Sequence, residues 1–375
     1  MTEGRGWRGV GLMLLAASLG SCAQLFGFDK EYREVYGAGA AGGGGSAGTG
    51  GNAGSGGGSS GGGGSGGSVP VDCQQPGAHL EILAQGQVSP RAITVDSLRV
   101  YWTTEGPTLG DNGVWKRDKA NGPPARVADT AARKPIGLLV DNTHAYWSDS
   151  STLACPNRDG ILRISHADPP DPGNFQILDS TCGRASMIAL DTTRVYYARV
   201  ANGYIHSALK LGGGLDDLLT AAGTAAPFGI AVDELHAYWT DQTSQQVVRA
   251  LKDGSVQEDL SPASPSPRWI GLDNESVYWA TDSLVLKHDK VTLGAASTEL
   301  HAGLADIVAL AVDPPGDALY VIDGQAGDVL KVSKDVGPPA TTIIDSMDAL
   351  GGVAVDEKFV YWTNMTTGQV LRACK

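Results

Sequence analysis

Residues 229–241 read Gly-Ile-Ala-Val-Asp-Glu-Leu-His-Ala-Tyr-Trp-Thr-Asp: an apolar run closed by Asp233, a short polar turn, and a second run carrying Tyr238 and Trp239. β-Branched and aromatic residues on both sides of a turn predict two short strands rather than a helix. The phrase recurs seven times, as AITVD, GLLVD, MIALD, GIAVD, WIGLD, LAVD and GVAVD, which places Asp96, Asp141, Asp191, Asp233, Asp273, Asp313 and Asp356 at one repeat position. A Tyr follows each Asp by five residues (Tyr101, Tyr146, Tyr196, Tyr238, Tyr278, Tyr361), or by seven at Tyr320, where Pro314-Pro315-Gly316 lengthens the turn. Trp102, Trp147, Trp239, Trp279 and Trp362 come next in five copies, and Tyr197 and Val321 fill the slot in the other two.

Successive Asp residues stand 45, 50, 42, 40, 40 and 43 residues apart. Within each interval a third run (GVWKRD, ILRIS, QVVRAL, DVLKVS, QVLRAC) and a fourth (ARVAD, FQILD, TELHA) complete four strands, the period of a β-propeller blade. The chain stops after the third run of the seventh unit, while Leu80-Glu81-Ile82-Leu83-Ala84 precedes the first unit without a blade of its own. Joining the two predicts an all-β, seven-bladed propeller over 70–375 closed by an N-terminal strand; bare edges would otherwise remain.

Tyr238-Trp239-Thr240-Asp241 spells the signature of the YWTD repeat, class B of the low-density-lipoprotein receptor, with YWSD at 146–149, YWTT at 101–104, YWTN at 361–364 and YVID at 320–323 as variants. The body therefore resembles that family. The resemblance implies a noncatalytic platform in which the signature residues are structural, the aromatics packing between blades. It departs in two respects: that family builds six blades, which leaves six as the alternative count, and Tyr196-Tyr197-Ala198-Arg199 keeps only half the signature.

Ahead of the body, Arg5 and Arg8 precede about ten apolar residues, Val10 to Leu19, half of what spans a bilayer, so 1–21 reads as a signal peptide. Leu19-Gly20-Ser21-Cys22 resembles the lipobox of bacterial lipoproteins, which implies acylation of Cys22 and anchorage of the chain in a membrane. Ala23 after it favours the outer membrane or cell surface, with the body periplasmic or extracellular. Residues 22–36 form the leader; 37–69 are a Gly/Ser-rich tether that buries no large side chain and is expected to be disordered, with a reach of ~30 Å. The net charge of −13 falls on the body, because the charges of 1–36 balance and the tether has none. Such a body repels phosphate backbones and anionic headgroups, which argues against a nucleic-acid partner; a monomer is expected.

Four Cys remain for an exported body, with three possible pairings. Cys73 lies before the closing strand and Cys374 at the end of the strand it joins, so 73–374 is the expected staple, and Cys155 then pairs with Cys182. No Cys-x-x-Cys, Gly-x-Ser-x-Gly, His-Glu-x-x-His or phosphate loop occurs. The blade Asp residues read as turn caps. No cofactor is expected, with a divalent ion at a blade loop the open exception. Arg91, Lys134, Arg184 and Arg268, the last followed by Trp269, precede four innermost strands and so approach the channel mouth. Two roles suit them: ion pairs with Asp149, Asp241 or Asp282 that hold blades together, or a clamp on an anionic ligand with Trp269 as a stacking surface. The function expected is a tethered propeller that binds a protein, peptide or glycan; the rival is a propeller enzyme of lyase or lactonase type with a metal in its channel.

Overall fold

A computed structural model describes residues 73, 76–108, 110–130, 134–149, 160–179, 185–200, 203–213, 215–220, 226–261, 264–313 and 315–375. The segments read as signal peptide, leader and tether, together with Cys22, Cys155, Cys182 and Arg184, lie outside them.

The described residues form seven four-stranded antiparallel sheets. Blade 1 shows the pattern: Pro90–Val95 innermost, then Arg99–Thr104, Gly113–Asp118 and, outermost, Ala125–Asp129. Six sheets take their strands in sequence order; the seventh pairs Leu350–Val355, Phe359–Asn364 and Gln369–Cys374 with Glu81–Ala84 from the other end of the body. Glu81 sits opposite Arg372 in that pair, and the two side chains are ion-paired at 2.6 Å. The innermost strands touch in a closed circuit, each packing on the next and Leu350–Val355 on Pro90–Val95, so the blade count is seven.

The side chains explain why the blades stack. Trp102, Trp147, Trp239, Trp279 and Trp362 and all seven repeat Tyr are buried, as is Tyr197. Large flat faces remove much apolar area from water per residue, so these aromatics contribute heavily to the contact between sheets, beside the Val, Ile, Leu and Ala of the same core. Small residues let the inner rims close: a Cβ on Gly229 would fall 2.3 Å from the Arg268 carbonyl oxygen of the next blade, inside any permitted contact.

Strand pairing defines two faces. The start of each innermost strand lies beside the end of the second, Pro90 opposite Thr104 and Pro135 opposite Asp149, and this end is the mouth. The Asp turns and the turns between third and fourth strands occupy the other end, called here the closure face. There Cys73 is bonded to Cys374, and Gly77 N–H and Cys374 N–H donate to the carbonyls of Cys374 and Ala78.

Candidate functional site

On the closure face the blade Asp does two jobs in six of the seven blades. One carboxylate oxygen accepts the N–H groups two and three residues on, as Asp233 does from Leu235 and His236 at 3.0 and 2.8 Å, which fixes the turn. The other accepts the hydroxyl of the repeat Tyr in six blades, at 2.7–2.9 Å. The same carboxylate meets a Lys of the following blade: Lys210 reaches Asp141, Lys252 Asp191, Lys290 Asp233, Lys334 Asp273, Lys375 Asp313 and Lys119 Asp356, all within 3.1 Å. Several of these ammonium groups also stand over the Tyr rings, Lys252 5.2 Å from the Tyr196 centroid. At the seam between blades 1 and 2 the Lys position is taken by His166, whose ring lies 5.3 Å from that of Tyr101. In blade 6 the lengthened turn leaves the Tyr320 hydroxyl without an Asp partner.

Burial alone would raise the carboxyls of Asp141, Asp191, Asp233, Asp273 and Asp356. The N–H, Tyr and Lys donors around them outweigh it and hold all five below the usual range. Burial, and then the adjoining carboxylate, push the phenols of Tyr146, Tyr196, Tyr238 and Tyr278 well above theirs.

Nearer the mouth the rest of the signature is also bound into the ring. Thr240 Oγ1 accepts the Gly229 N–H and donates to the Arg268 carbonyl of the next blade; Ser148 and Thr363 repeat this bridge to Ser186 and Arg91. Asp241 caps the turn that follows through the N–H groups of Thr243 and Ser244, and Asn364 does so through Thr366 and Thr367. In blade 3 Arg199 holds the final position of the signature and forms a buried ion pair with Asp179 of blade 2, to which the Tyr197 hydroxyl also donates at 2.6 Å. His206 stacks on Tyr197 at 5.5 Å.

The mouth cations stand differently from the sequence reading. Arg91 and Arg268 lie five residues before their blade Asp, whereas Lys134 lies seven before, as does Arg184 outside the described residues, so they do not share one ring position. Arg91 and Lys134 converge on Glu105 at 2.8 and 3.0 Å, and Arg268 meets Asp282 at 3.3 Å. Asp149 instead accepts the Lys134 backbone N–H, and blade 5 puts Thr281, not Asp282, in the final position of the signature. Trp269 is no stacking surface. Its ring is buried, its Nε1–H donates to the Ile307 carbonyl at 2.8 Å and Phe228 meets it edge-on. The cause is the position: the residue four before the blade Asp is buried in every described blade, as Ala92, Gly137, Met187, Gly229, Ala309 and Gly352 are, and Trp269 occupies it in blade 5. At the position shared with Arg91 and Arg268 the other described blades carry Ile136, Ser186, Phe228, Val308 and Gly351, with Ile136, Phe228 and Val308 partly exposed between buried neighbours. The described mouth is thus apolar patches between paired charges. Among the described residues no three His, Cys, Asp or Glu side chains gather around one point where a metal ion would sit.

The sequence reading missed the Lys clasps, although Lys210, Lys252, Lys290, Lys334 and Lys375 recur directly behind the third run at intervals of 42, 38, 44 and 41.

No family model matches the sequence. Among solved structures the chain is similar to a virginiamycin B lyase from Staphylococcus aureus (TM-score 0.63, 13% identity, 79% of this chain and 98% of that one). It is similar to a streptogramin B lyase (0.62, 12%, 78% and 96%), and a chain of a nidogen/laminin complex matches at TM-score 0.47 with 19% identity over 63% and 89%. Likeness at the lyases' identities shows the propeller fold.

Proposed function

We propose that this chain is a membrane-tethered, noncatalytic propeller lipoprotein whose mouth binds a protein, peptide or glycan. One observation carries the reading: Cys73 is bonded to Cys374 on the closure face, opposite the mouth. A chain anchored at Cys22 and led through the Gly/Ser segment joins the body on its far side and leaves the mouth turned away from the bilayer, with a reach of ~30 Å. The rim suits recognition: Ile136, Phe228 and Val308 offer apolar contact, and the Arg91/Lys134/Glu105 group carries two cations for one carboxylate. The signature residues support the same view, since they brace the blades against one another and so hold the rim rigid.

The test has two parts. Cys22→Ala should release the protein from the membrane fraction and abolish acylation; a substituted chain that stays membrane-bound defeats the anchor. The body, screened on arrays of peptides and carboxylated glycans, should capture a ligand that Phe228→Asp with Ile136→Asp no longer captures. Turnover of virginiamycin B by the purified body, abolished by a chelator, would replace the binding reading with that of an enzyme.

A further inference from the structure

The five most exposed large aliphatic side chains among the described residues, Leu98, Leu211, Leu235, Val291 and Val336, are 62–88% exposed, and all five stand on the closure face. Leu98 and Leu235 occupy the Asp turns of blades 1 and 4; Leu211, Val291 and Val336 follow the clasp residues Lys210, Lys290 and Lys334 of blades 3, 5 and 6. Leu98 and Leu235 sit in turns whose N–H groups are held by Asp96 and Asp233, and Leu211, Val291 and Val336 stand in the turns between third and fourth strands. Four of the five fall on consecutive blades, 3 to 6. On the mouth face the described member of this class is Val88, at 40%. Single exposed aliphatics are ordinary, but the five most exposed ones on one face, four of them on consecutive blades, make a repeated set of apolar tips that a docking surface can use.

We infer that the closure face rests on the surface of a lipid bilayer with zwitterionic headgroups, the aliphatic tips entering the headgroup layer. The occupant follows from where the remaining chain joins: Cys73 is fixed to this face, so the preceding sequence, which carries the apolar run 10–19 and Cys22, is attached to the body here. The body's charge of −13 selects zwitterionic over anionic lipid. Five short tips give weak binding alone, and a tether raises their local concentration enough to make it count. The inference rests on the proposed anchoring for proximity alone, and it is tested without the anchor.

The ring, its core and its closing disulfide all lie within 73–375, so the body from residue 70 onward folds by itself and is the protein to use. In flotation with phosphatidylcholine and phosphatidylethanolamine vesicles, Leu211→Asp/Val291→Asp/Val336→Asp should lower the bound fraction roughly tenfold with an unchanged melt, and added phosphatidylglycerol should weaken wild-type binding. With the body held to vesicles by an N-terminal His tag on nickel-chelating lipid, fluorophores on Leu211→Cys and Val291→Cys should be shielded from aqueous iodide while one on Val88→Cys is not. Equal quenching at the three positions, or equal flotation of wild type and triple variant, overturns the proposal. So does light scattering that shows a wild-type dimer lost in the triple variant, since the face would then belong to a second copy. The Cys22→Ala result bears on the anchor and leaves these outcomes independent.

Discussion

Replacing Lys290 by Met removes one clasp while keeping an unbranched side chain beside the Tyr238 ring. Nζ lies 3.1 Å from Asp233 Oδ2, with the two side chains 11% and 27% exposed. A fully exposed pair contributes ~0–1 kcal/mol, and breaking a fully buried one costs about 3–5 kcal/mol. This pair lies between, and its carboxylate keeps the N–H groups of Leu235 and His236 and the Tyr238 hydroxyl, so it is not orphaned. The loss should be about 1–2 kcal/mol. For a body of this size that moves the melting temperature by only ~2–4 °C per kcal/mol, so urea unfolding is the better assay, run as a double-mutant cycle with Asp233→Asn. The expected coupling is about 1 kcal/mol. Asp233 titrates below the ordinary carboxylate range in the folded protein although burial alone would raise it. A depressed group stabilises above its unfolded pKa and loses that contribution as pH falls through the folded one. The gap between wild type and Lys290→Met should therefore hold from pH 8 to about 5 and close below about 4. Zero coupling, or a gap that widens in acid, refutes the clasp.

Arg91→Glu with Arg268→Glu should lower stability by a few kcal/mol, since Glu105 and Asp282 would then face like charges; an unchanged melt would separate these arginines from blade packing. Thr240→Val should cost about 1–2 kcal/mol in chemical unfolding, because the Gly229 N–H and the Arg268 carbonyl lose their common partner. Peptide mapping of the oxidised protein should recover 73 joined to 374 and 155 joined to 182, and reduction should destabilise the body by about 2–4 kcal/mol. Removing residues 79–84 should unfold the whole ring in one transition; loss of blade 7 alone would contradict the closed circuit.

Much of this ring was legible because its repeat obeys local rules. An apolar run, an Asp and a Tyr five residues on announce a hairpin whose turn and hydroxyl bond form within one stretch of chain, as Asp96 and Tyr101 do. The closing strand was readable from an unpaired run at each end, and Cys73 and Cys374 from their places beside it. What escaped depends on the neighbouring blade. Lys290 and Asp233 are 57 residues apart, and no helical or strand period links them. Trp269 follows a rim cation in sequence, but its position, four residues before the blade Asp, is a buried one in every described blade, and that burial is visible only in the folded ring. Arg91 and Lys134 seemed equivalent until pairing placed them two positions apart on their strands and joined them through Glu105.

The borrowed strand also sets an order of events. Glu81–Ala84 is made near the start of the body and finds its partner, Gln369–Cys374, only when nearly 300 further residues exist. Until then six blades can form from local hairpins while the first strand, the outermost of blade 7, waits without a sheet for the other three. The slow step in making this protein should therefore be a single long-range closure, set by the entropy of bringing distant segments together rather than by blade formation. During that interval Leu83, buried once the ring is shut, stays open to water and to other chains.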